Sequence, residues 1–133
     1  MERPYCIEFE QMGSPELGYL SVAQAGELLP FEIKRVFWNY QVPEGTERGN
    51  HAYRLTAQVL VALQGRVRIT LESTRGESTE YVLNHPRQGL LVPPRFWRKV
   101  QFFDHAVMIV FSSREFDPAD SIRNYVAFRA LEN

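Results

Sequence analysis

The stretch HAYRLTAQVLVALQGRVRITLESTRGESTEYVL, residues 51–83, decides the fold class. Its first part becomes a nearly continuous apolar run towards Leu63, which is typical of a strand buried on both faces. After a break at Gln64-Gly65, the segment RVRITLE alternates apolar and polar residues, as a strand with one buried face does. The segment STRGES then predicts a hairpin connection, and TEYVL predicts the returning strand. This part of the chain is therefore antiparallel β-structure.

Similar segments continue on both sides of this stretch. Upstream, YCIEFE predicts an edge strand, and GYLSVAQA and FEIKRVFWNYQV predict two more strands. Downstream, the strands LLVPP, RFWRKVQFF and AVMIVFSS are separated by turns, the last of them at Asp104-His105. The tail from Phe116 to Leu131 predicts one short helix with Asp117-Pro118 at its start. Short strands punctuated by Gly and Pro favour an all-β barrel or sandwich, formed as a single domain over residues 1–133.

Composition narrows the functional classes. The 133 residues are 44% hydrophobic and 23% charged, which is ordinary for a soluble globular domain. The formal net charge of -1 provides no basic field for nucleic acid or anionic lipid, so neither partner is expected. The single Cys6 excludes an intrachain disulfide. With no apolar signal core in MERPYCIEFE and no apolar run of membrane-span length, a cytoplasmic location is predicted.

The stretch RGNHAYRLTAQ, residues 48–58, contains the candidate chemistry. On a strand, residues two apart share a face, so His51 and Tyr53 are expected to point the same way. A catalytic metal typically needs three protein ligands. Here a tyrosine follows His51 where a second imidazole would be needed, and Gln58 stands where a carboxylate would be needed. The sequence therefore predicts no metal at this site.

Proton transfer is the other chemistry open to the pair. With an ordinary pKa of about 6.5, a histidine is mostly neutral at pH 7 and can accept a proton. A tyrosine, with an ordinary pKa of about 10, is a better hydrogen-bond donor than base. This favours His51 as base and Tyr53 as donor or relay, with Arg48 supporting an anionic intermediate or a phosphate. The alternative is a polar pair in a sheet with no catalytic role.

The segments PFEIKRVF, RGNHA, GLLVPPRFW and DPADSIRNY together resemble the nucleotide-sugar 3,4-ketoisomerases of the cupin superfamily, over about residues 15–128. The resemblance implies a cupin-type antiparallel jelly-roll barrel and a homodimer with exchanged N-terminal strands. It also implies a dTDP-linked 4-keto-6-deoxyhexose as substrate. The keto group would move between C4 and C3 through an enediol, with no cofactor, in deoxysugar biosynthesis for products such as lipopolysaccharide.

One position departs from the family pattern. The resemblance implies RGxHAH, and this chain has Tyr53 in place of the second histidine, to which the proton transfer is usually assigned. Three interpretations are open. His51 has taken over the proton transfer with help from Tyr53, or Tyr53 is an activated phenol, or the protein is a non-catalytic sugar-nucleotide-binding cupin. Leu17 and Arg98 occupy positions that the resemblance connects with the stereochemistry at C4.

Six further side chains are predicted to contact substrate, namely Arg35, Tyr40, Arg48, Gln58, Trp97 and Arg98. The arginines suit phosphate or sugar oxygens, Gln58 a sugar hydroxyl, and Trp97 a nucleobase or the cavity wall. The simpler alternatives are a surface ion pair for Arg48 beside Glu47 and a purely structural role for Trp97.

Overall fold

The computed structural model describes residues 2–26 and 28–131. Within them the chain forms ten strands, a 3-10 turn and one helix. The strands are β1 Tyr5–Glu8, β2 Met12–Ser14, β3 Gly18–Leu20, β4 Arg35–Asn39, β5 Glu47–Tyr53, β6 Gln58–Ser73, β7 Ser78–Leu83, β8 Gln88–Val92, β9 Phe96–Ser112 and β10 Ser121–Ile122. The 3-10 turn covers Pro118–Asp120, and the helix α1 covers Tyr125–Arg129.

Two long strands organise the fold. Strands β6 and β9 pair antiparallel from Gln58↔Ser112 to Ser73↔Phe96, and each contributes to two sheets. The first half of β6 and the second half of β9 lie in a sheet with β8 and β1 on one side and β4 on the other. The second half of β6 and the first half of β9 lie in a sheet with β7 on one side and β5 and β10 on the other.

The two sheets face each other across the main core. One buried cluster joins residues from both, including Leu60, Leu90 and Val110 from the first and Ile69 and Phe102 from the second. All the sheet pairings described are antiparallel, so the predicted all-β jelly roll is confirmed. The strand pairing runs from β1 to β10 without joining its ends, so the sheets form an open sandwich and not a closed barrel.

Three predicted strand boundaries are wrong. The run HAYRLTAQVLVAL is two strands, because the chain leaves β5 after Tyr53 and enters β6 at Gln58. Conversely, β6 continues through Gly65, and β9 continues through Asp104 and His105. At these places the register shifts and the backbone adopts positive φ, so that bulges bend the two strands from one sheet into the other instead of ending them.

The C-terminal segment also differs from its predicted form. Asp117-Pro118 begins the 3-10 turn, in which the Asp117 side chain accepts a hydrogen bond from the Ala119 N–H at 3.0 Å. The helix begins only at Tyr125, with Asn124 as its N-cap. A short helical segment is present as predicted, but β10 separates it from the Asp-Pro pair.

The outer face of the first sheet is strongly apolar. Residues from the N-terminal segment cover part of it in a second cluster, in which Phe9 and Leu29 pack on Val59, Val61 and Leu91. Strand β1 pairs only with β8, so the predicted edge strand is confirmed for the described pairings. Within residues 2–26 and 28–131, no helix has the length and apolar character needed to cross a membrane.

The bend of β6 at Gly65 provides a stability test. Gly65 has φ +73, and a Cβ there would lie 2.6 Å from the Asp104 carbonyl oxygen and 2.7 Å from the Ala106 Cα. Gly45 has the similar φ +75, with no atom within 4 Å of a Cβ. Alanine at either position takes the left-handed strain of about 1–2 kcal/mol. Only Gly65→Ala adds the backbone clash, which we expect to lower the free energy of unfolding by roughly another 1–3 kcal/mol.

Urea unfolding of the two variants measures this difference, with Gly45→Ala as the matched control. Equal losses of unfolding free energy in the two variants would show that a Cβ at position 65 does not clash with the backbone of Asp104 and Ala106.

Candidate active site

A cavity of about 110 Å³ lies between the two sheets, on the side where β4 faces β5. Most of its walls are apolar residues of β4, β6 and β9, such as Phe102 and Met108. Its polar lining consists of Asn39, Arg48, His51, Gln58 and Arg98. An apolar cavity with a few convergent polar groups is the usual form of a small-molecule site.

His51 and Tyr53 lie on the same face of β5, as the alternation predicts. Their ring centroids are 5.0 Å apart and the ring planes meet at 82°. Ala52, between them, points the other way and is buried against Trp97 and Ile122. The histidine lines the cavity, and the tyrosine lines a narrow adjoining space with Arg35, Arg114 and others. The two rings therefore present adjacent polar atoms to the space between the sheets.

Arg98 is the most unusual group in the site. Its side chain is on β9, paired with His51 on β5, and the residue is only 3% exposed. Its Nη1 donates a hydrogen bond to the Gln58 Oε1, and its guanidinium carbon lies 5.0 Å from the centroid of the Tyr53 ring. Its Nε and Nη2 are buried with no hydrogen-bond partner among the described residues. Burial lowers the pKa of Arg98 to about 10, so the group is still a cation at pH 7.

Gln58 holds this cation in place. The residue is 2% exposed at the start of β6, and its Nε2 donates to the Ser112 Oγ at 2.8 Å while its Oε1 accepts from Arg98. Both ends of the amide are therefore engaged within the protein. Gln58 lines the cavity, and this arrangement fits the orientation of Arg98 better than a direct contact with a sugar hydroxyl. That contact stays a prediction.

An unpaired buried guanidinium implies an anionic partner. Removing a charge from water is unfavourable unless another charge or several hydrogen bonds replace the water. Arg98 has one such bond and two unpartnered donor nitrogens, Nε and Nη2, beside the cavity. A ligand that brings a negative oxygen into the cavity would satisfy both the charge and the free donors.

The same surroundings keep His51 neutral. Burial, the nearby Arg98 cation and, more weakly, Arg123 lower the pKa of His51 to about 4, against a smaller opposing effect of the Gly49 backbone. The Nδ1 atom of His51 is buried and has no hydrogen-bond partner among the described residues. The imidazole is therefore in its proton-accepting form over the whole physiological range.

Three further arginines lie around the cavity and the adjoining space. Arg48, on β5, is exposed and lines the cavity. Arg35, on β4, has its guanidinium carbon 4.6 Å from the Phe37 ring centroid and 5.1 Å from that of Phe116. Arg35 and Arg114 both line the space that contains Tyr53. Together these residues bring positive charge to this side of the molecule.

Two predicted contact residues lie away from the cavity. Trp97 is 5% exposed and packs on the far side of β9, with its ring centroid 5.6 Å from that of Phe128. Tyr40 follows β4 with its side chain 61% exposed, on the face opposite to Phe37 and Asn39. In both cases the adjacent residue, Arg98 or Asn39, lines the cavity instead. Arg98 was itself among the predicted contact residues, and Asn39 was not.

Sequence reasoning missed several residues around the site. Asn39 and Phe37 could have been found from Arg35 by counting in twos along β4. Ser112, Arg114, Phe116 and Asp120 converge from the other end of the chain, and no local pattern connects them with β5. Over residues 2–26 and 28–131, no group of three or more His, Cys, Asp or Glu side chains could hold a metal ion. The absence of a resident metal stays a prediction.

The lowered pKa of His51 predicts how stability depends on pH. An unfolded histidine takes up a proton near pH 6.5, whereas folded His51 does so only near pH 4. Between these values the unfolded state binds the extra proton, so acidification favours unfolding. The contribution of His51 is fully present above about pH 6.5 and is lost as the pH falls towards 4.

We therefore expect His51→Gln to lose less unfolding free energy than the wild type between pH 7 and pH 4.5, measured by urea unfolding at each pH. His105→Gln, at the exposed bulge within β9, controls for the loss of an imidazole elsewhere. Parallel curves for the wild type and His51→Gln would contradict the buried neutral imidazole.

Comparisons with known proteins show the family of the chain. The FdtA family, described as WxcM-like, C-terminal, matches residues 3–133. A relative from Aneurinibacillus thermoaerophilus, named TDP-4-oxo-6-deoxy-alpha-D-glucose-3,4-oxoisomerase, is 34% identical over 113 residues, which are 84% of this chain and 81% of the relative.

Two solved structures are also similar. The sugar 3,4-ketoisomerase QdtA from Thermoanaerobacterium thermosaccharolyticum, in complex with TDP, superposes with a TM-score of 0.87 at 32% identity, over 95% of this chain and 91% of the other. The TDP-fucose-3,4-ketoisomerase WlaRA from Campylobacter jejuni superposes with a TM-score of 0.91 at 26% identity, over 99% and 97%. The match of the family to almost the whole sequence, with these relatives, shows that the chain belongs to the FdtA family and confirms its resemblance to the nucleotide-sugar 3,4-ketoisomerases.

Proposed function

We propose that this protein is an isomerase that moves the keto group between C4 and C3 of a dTDP-linked 4-keto-6-deoxyhexose, in deoxysugar biosynthesis. The observation that carries the proposal is the buried Arg98 cation with two unpartnered donor nitrogens, placed beside a neutral histidine and a tyrosine. The relatives named above act on TDP-linked sugars or were solved with TDP. A cytoplasmic location, as predicted from the sequence, is part of the same proposal.

The reaction needs a base, a stabiliser of negative charge and a proton relay. The hydrogen on C3 is acidic because it lies next to the C4 ketone, and its removal gives an enediolate with the charge on the C4 oxygen. A proton is then delivered to C4, while the proton of the C3 hydroxyl moves to the oxygen at C4. The keto group is now at C3, and no atoms or electrons have been gained or lost.

His51 and Arg98 fit the first two roles. His51 is neutral and can accept the proton from C3 without prior deprotonation. Its pKa is low partly because of the Arg98 charge. When the enediolate forms, its negative oxygen neutralises Arg98, and the pKa of His51 rises as the proton arrives. Arg98 thus stabilises the intermediate directly, and the neutralisation of its charge removes an effect that otherwise weakens His51 as a base.

Tyr53 fits the relay between the two oxygens. A phenol can donate to one sugar oxygen while accepting from the other, which the exchange of the hydroxyl proton requires. Its ring centroid lies 5.0 Å from both the His51 ring centroid and the Arg98 guanidinium carbon, so one sugar ring could contact all three groups. In this arrangement the tyrosine does not need to ionise, which removes the main objection to its place in the motif.

The diphosphate is assigned to the surrounding arginines. Arg48 lines the cavity, Arg35 and Arg114 line the adjoining space, and guanidinium groups bind phosphate oxygens in pairs. The cavity of about 110 Å³ accommodates a sugar ring more readily than a whole sugar nucleotide. The nucleotide would therefore extend outwards from the cavity past these arginines.

The assembly is proposed to be a homodimer. Val36, Trp38 and Tyr40 form an exposed apolar row on the outer side of β4, with Trp38 58% exposed. Such a row is typical of a surface that another chain covers. Strand β1 meets β8 through four residue pairs, Tyr5↔Leu91 to Glu8↔Gln88, and a partner chain could supply the same four pairs by strand exchange.

Turnover is tested by incubating the protein with dTDP-4-keto-6-deoxyglucose in deuterated water and following the sugar by proton NMR. We expect a 3-keto product. His51→Asn should lower kcat roughly 100- to 10,000-fold, as for loss of a general base. Arg98→Gln should lower it roughly 100- to 1,000-fold, as for loss of one oxyanion donor.

In this assay His105→Gln is the control, because its side chain is exposed far from the cavity lining. TDP binding by calorimetry accompanies each variant. A wild-type protein that binds TDP and leaves the sugar unchanged would support the non-catalytic binding cupin instead.

Assembly is tested with a disulfide across the β1–β8 pair. Glu8 and Gln88 are exposed cross-strand neighbours, a spacing that suits a disulfide. In a Cys6→Ser background, Glu8→Cys with Gln88→Cys should give covalent dimers on non-reducing gels if the strands are exchanged. Light scattering should give twice the chain mass of 15.5 kDa. Covalent monomers within a particle of dimer mass would show a dimer without exchange, and a particle of monomer mass would refute both.

A further inference from the structure

The segment DPADSIRNY holds the connection between β5 and β6 in place by hydrogen bonds. The proposed chemistry does not include this role. This connection, residues 54–57, separates Tyr53 at the end of β5 from Gln58 at the start of β6. Three of its four backbone N–H groups donate to one residue, Asp120. Arg54 N donates to the Asp120 carbonyl oxygen at 2.9 Å, Leu55 N to Oδ1 at 2.8 Å, and Thr56 N to Oδ2 at 3.2 Å.

The Asp120 carboxylate is buried and satisfied by these contacts. The residue is 5% exposed, and its Oδ2 also accepts a hydrogen bond from the Thr56 hydroxyl. A buried carboxylate is retained where its charge is met by several donors. Here three donors of a single short connection provide them, namely the N–H groups of Leu55 and Thr56 and the Thr56 hydroxyl. The carboxylate therefore fixes the path of Leu55 and Thr56 more closely than backbone pairing alone would.

Asp120 is itself held rigidly. It closes the 3-10 turn that begins at Pro118, and its own N–H donates to the Asp117 carbonyl oxygen at 3.0 Å. The Asp117 side chain caps the turn by accepting from Ala119 N, and Pro118 restricts φ at the first position. The next residues, Ser121 and Ile122, pair with Tyr53 and Ala52. The carboxylate is therefore delivered from a preorganised turn.

The residues at both ends of this connection, Tyr53 and Gln58, belong to the candidate active site. The carbonyl oxygen of Tyr53 accepts from Arg95 N at 2.7 Å, and its strand pairs with β10. At the other end, Ala57 exchanges two 2.9 Å hydrogen bonds with Ser113, one to the Ser113 Oγ and one from the Ser113 N–H. The following residue, Gln58, accepts from Arg98. A shift of the connection would move the phenol and, through the amide, the guanidinium.

We propose that Asp120 is a positioning residue, which sets the location of Tyr53 through the adjacent residues 54–56 and that of Arg98 through Gln58. The inference rests on the proposed isomerase function for its kinetic consequence, but its geometric content is independent of turnover. It also assigns a role to the Asp-Pro-Ala-Asp motif. Asp117 and Pro118 shape the turn, and Asp120 connects this turn to residues 54–56 by hydrogen bonds.

The proposal distinguishes a carboxylate from an amide. Asparagine at position 120 keeps the shape but replaces one acceptor oxygen with an NH₂ group, which would face the N–H donors of the connection. Asp120→Asn should therefore displace residues 54–56. Asp117→Asn makes the same chemical change three residues earlier, where an asparagine caps the turn as well as an aspartate does, so it is the matched control.

We expect Asp120→Asn to lower kcat at least tenfold while the Kd for TDP changes less than threefold. Thr56→Val, which removes the hydroxyl donor, should lower kcat several-fold, and Thr56→Ser should restore it. Asp117→Asn should stay within twofold of the wild type. Phe128→Leu, in the buried cluster of the C-terminal helix, should lower the Tm and leave the hydrogen bonds of Asp120 in place. At a temperature below its Tm, its kcat should equal that of the wild type.

A second readout does not depend on turnover. In protein labelled with ¹³C-tyrosine, the Tyr53 ring signal is identified by its loss in Tyr53→Phe. Asp120→Asn and Thr56→Val should move this signal, whereas Asp117→Asn and Phe128→Leu should not. If the wild type does not isomerise the sugar, the proposed function fails, and this signal alone decides the role of Asp120.

Several outcomes would overturn the proposal. One is a folded Asp120→Asn or Thr56→Val protein with kcat within twofold of the wild type and an unmoved Tyr53 signal. Another is a loss of kcat in Phe128→Leu equal to that in Asp120→Asn, which would show that Asp120 acts only through the stability of the protein. If Asp120→Asn does not fold, the Thr56→Val and Thr56→Ser pair carries the test.

Discussion

The site depends on one unfavourable interaction, the burial of the Arg98 charge without a counter-charge. Its side chain is enclosed by the two sheets and held by the amide of Gln58, while Nε and Nη2 have no partner among the described residues. Since burying such a charge weakens the folded state, the surrounding jelly roll must supply the missing stability. The long β6–β9 pairing and the shared core of the two sheets do so. The stability of the fold therefore allows Arg98 to stay buried and charged, with unpartnered donors for an anionic ligand.

That charge also reconciles the tyrosine with the proposed chemistry. The histidine that remains in the motif has its pKa lowered to about 4 by burial and by Arg98, which makes it neutral but a weak base. An enediolate bound to Arg98 would cancel the effect as the reaction proceeds. Tyr53 needs only to pass a proton between two oxygens, a task for which a neutral phenol is suited. In the proposed mechanism, tyrosine in place of histidine would change how the proton is transferred, whereas a cation would still be needed to stabilise the enediolate.

The sequence was sufficient for the fold class and for part of the site. Alternation in RVRITLE and the hairpin at STRGES identified antiparallel sheets, and the spacing of His51 and Tyr53 placed both rings on one face. Local patterns failed where distant contacts decide the outcome. The apolar run after His51 is broken because Asp120 captures residues 54–56, and strand phase alone did not exclude Tyr40 and Trp97. Bulges at Gly65 and Asp104 resemble strand ends in sequence, although the strands continue through them.

The hydrogen bonds between Asp120 and the β5–β6 connection also have a consequence for the order in which parts of the chain fold. Its side-chain contacts join residues separated by 65 and 64 positions, among the longer loops that this chain has to close. Because closing a long loop is entropically costly, we expect contacts of such separation to form after local hairpins such as β6–β7. On the ribosome, the histidine and tyrosine would emerge well before the turn that aligns them. The hydrogen bonds that hold residues 54–56 would therefore form only after residues 117–122 have been synthesised.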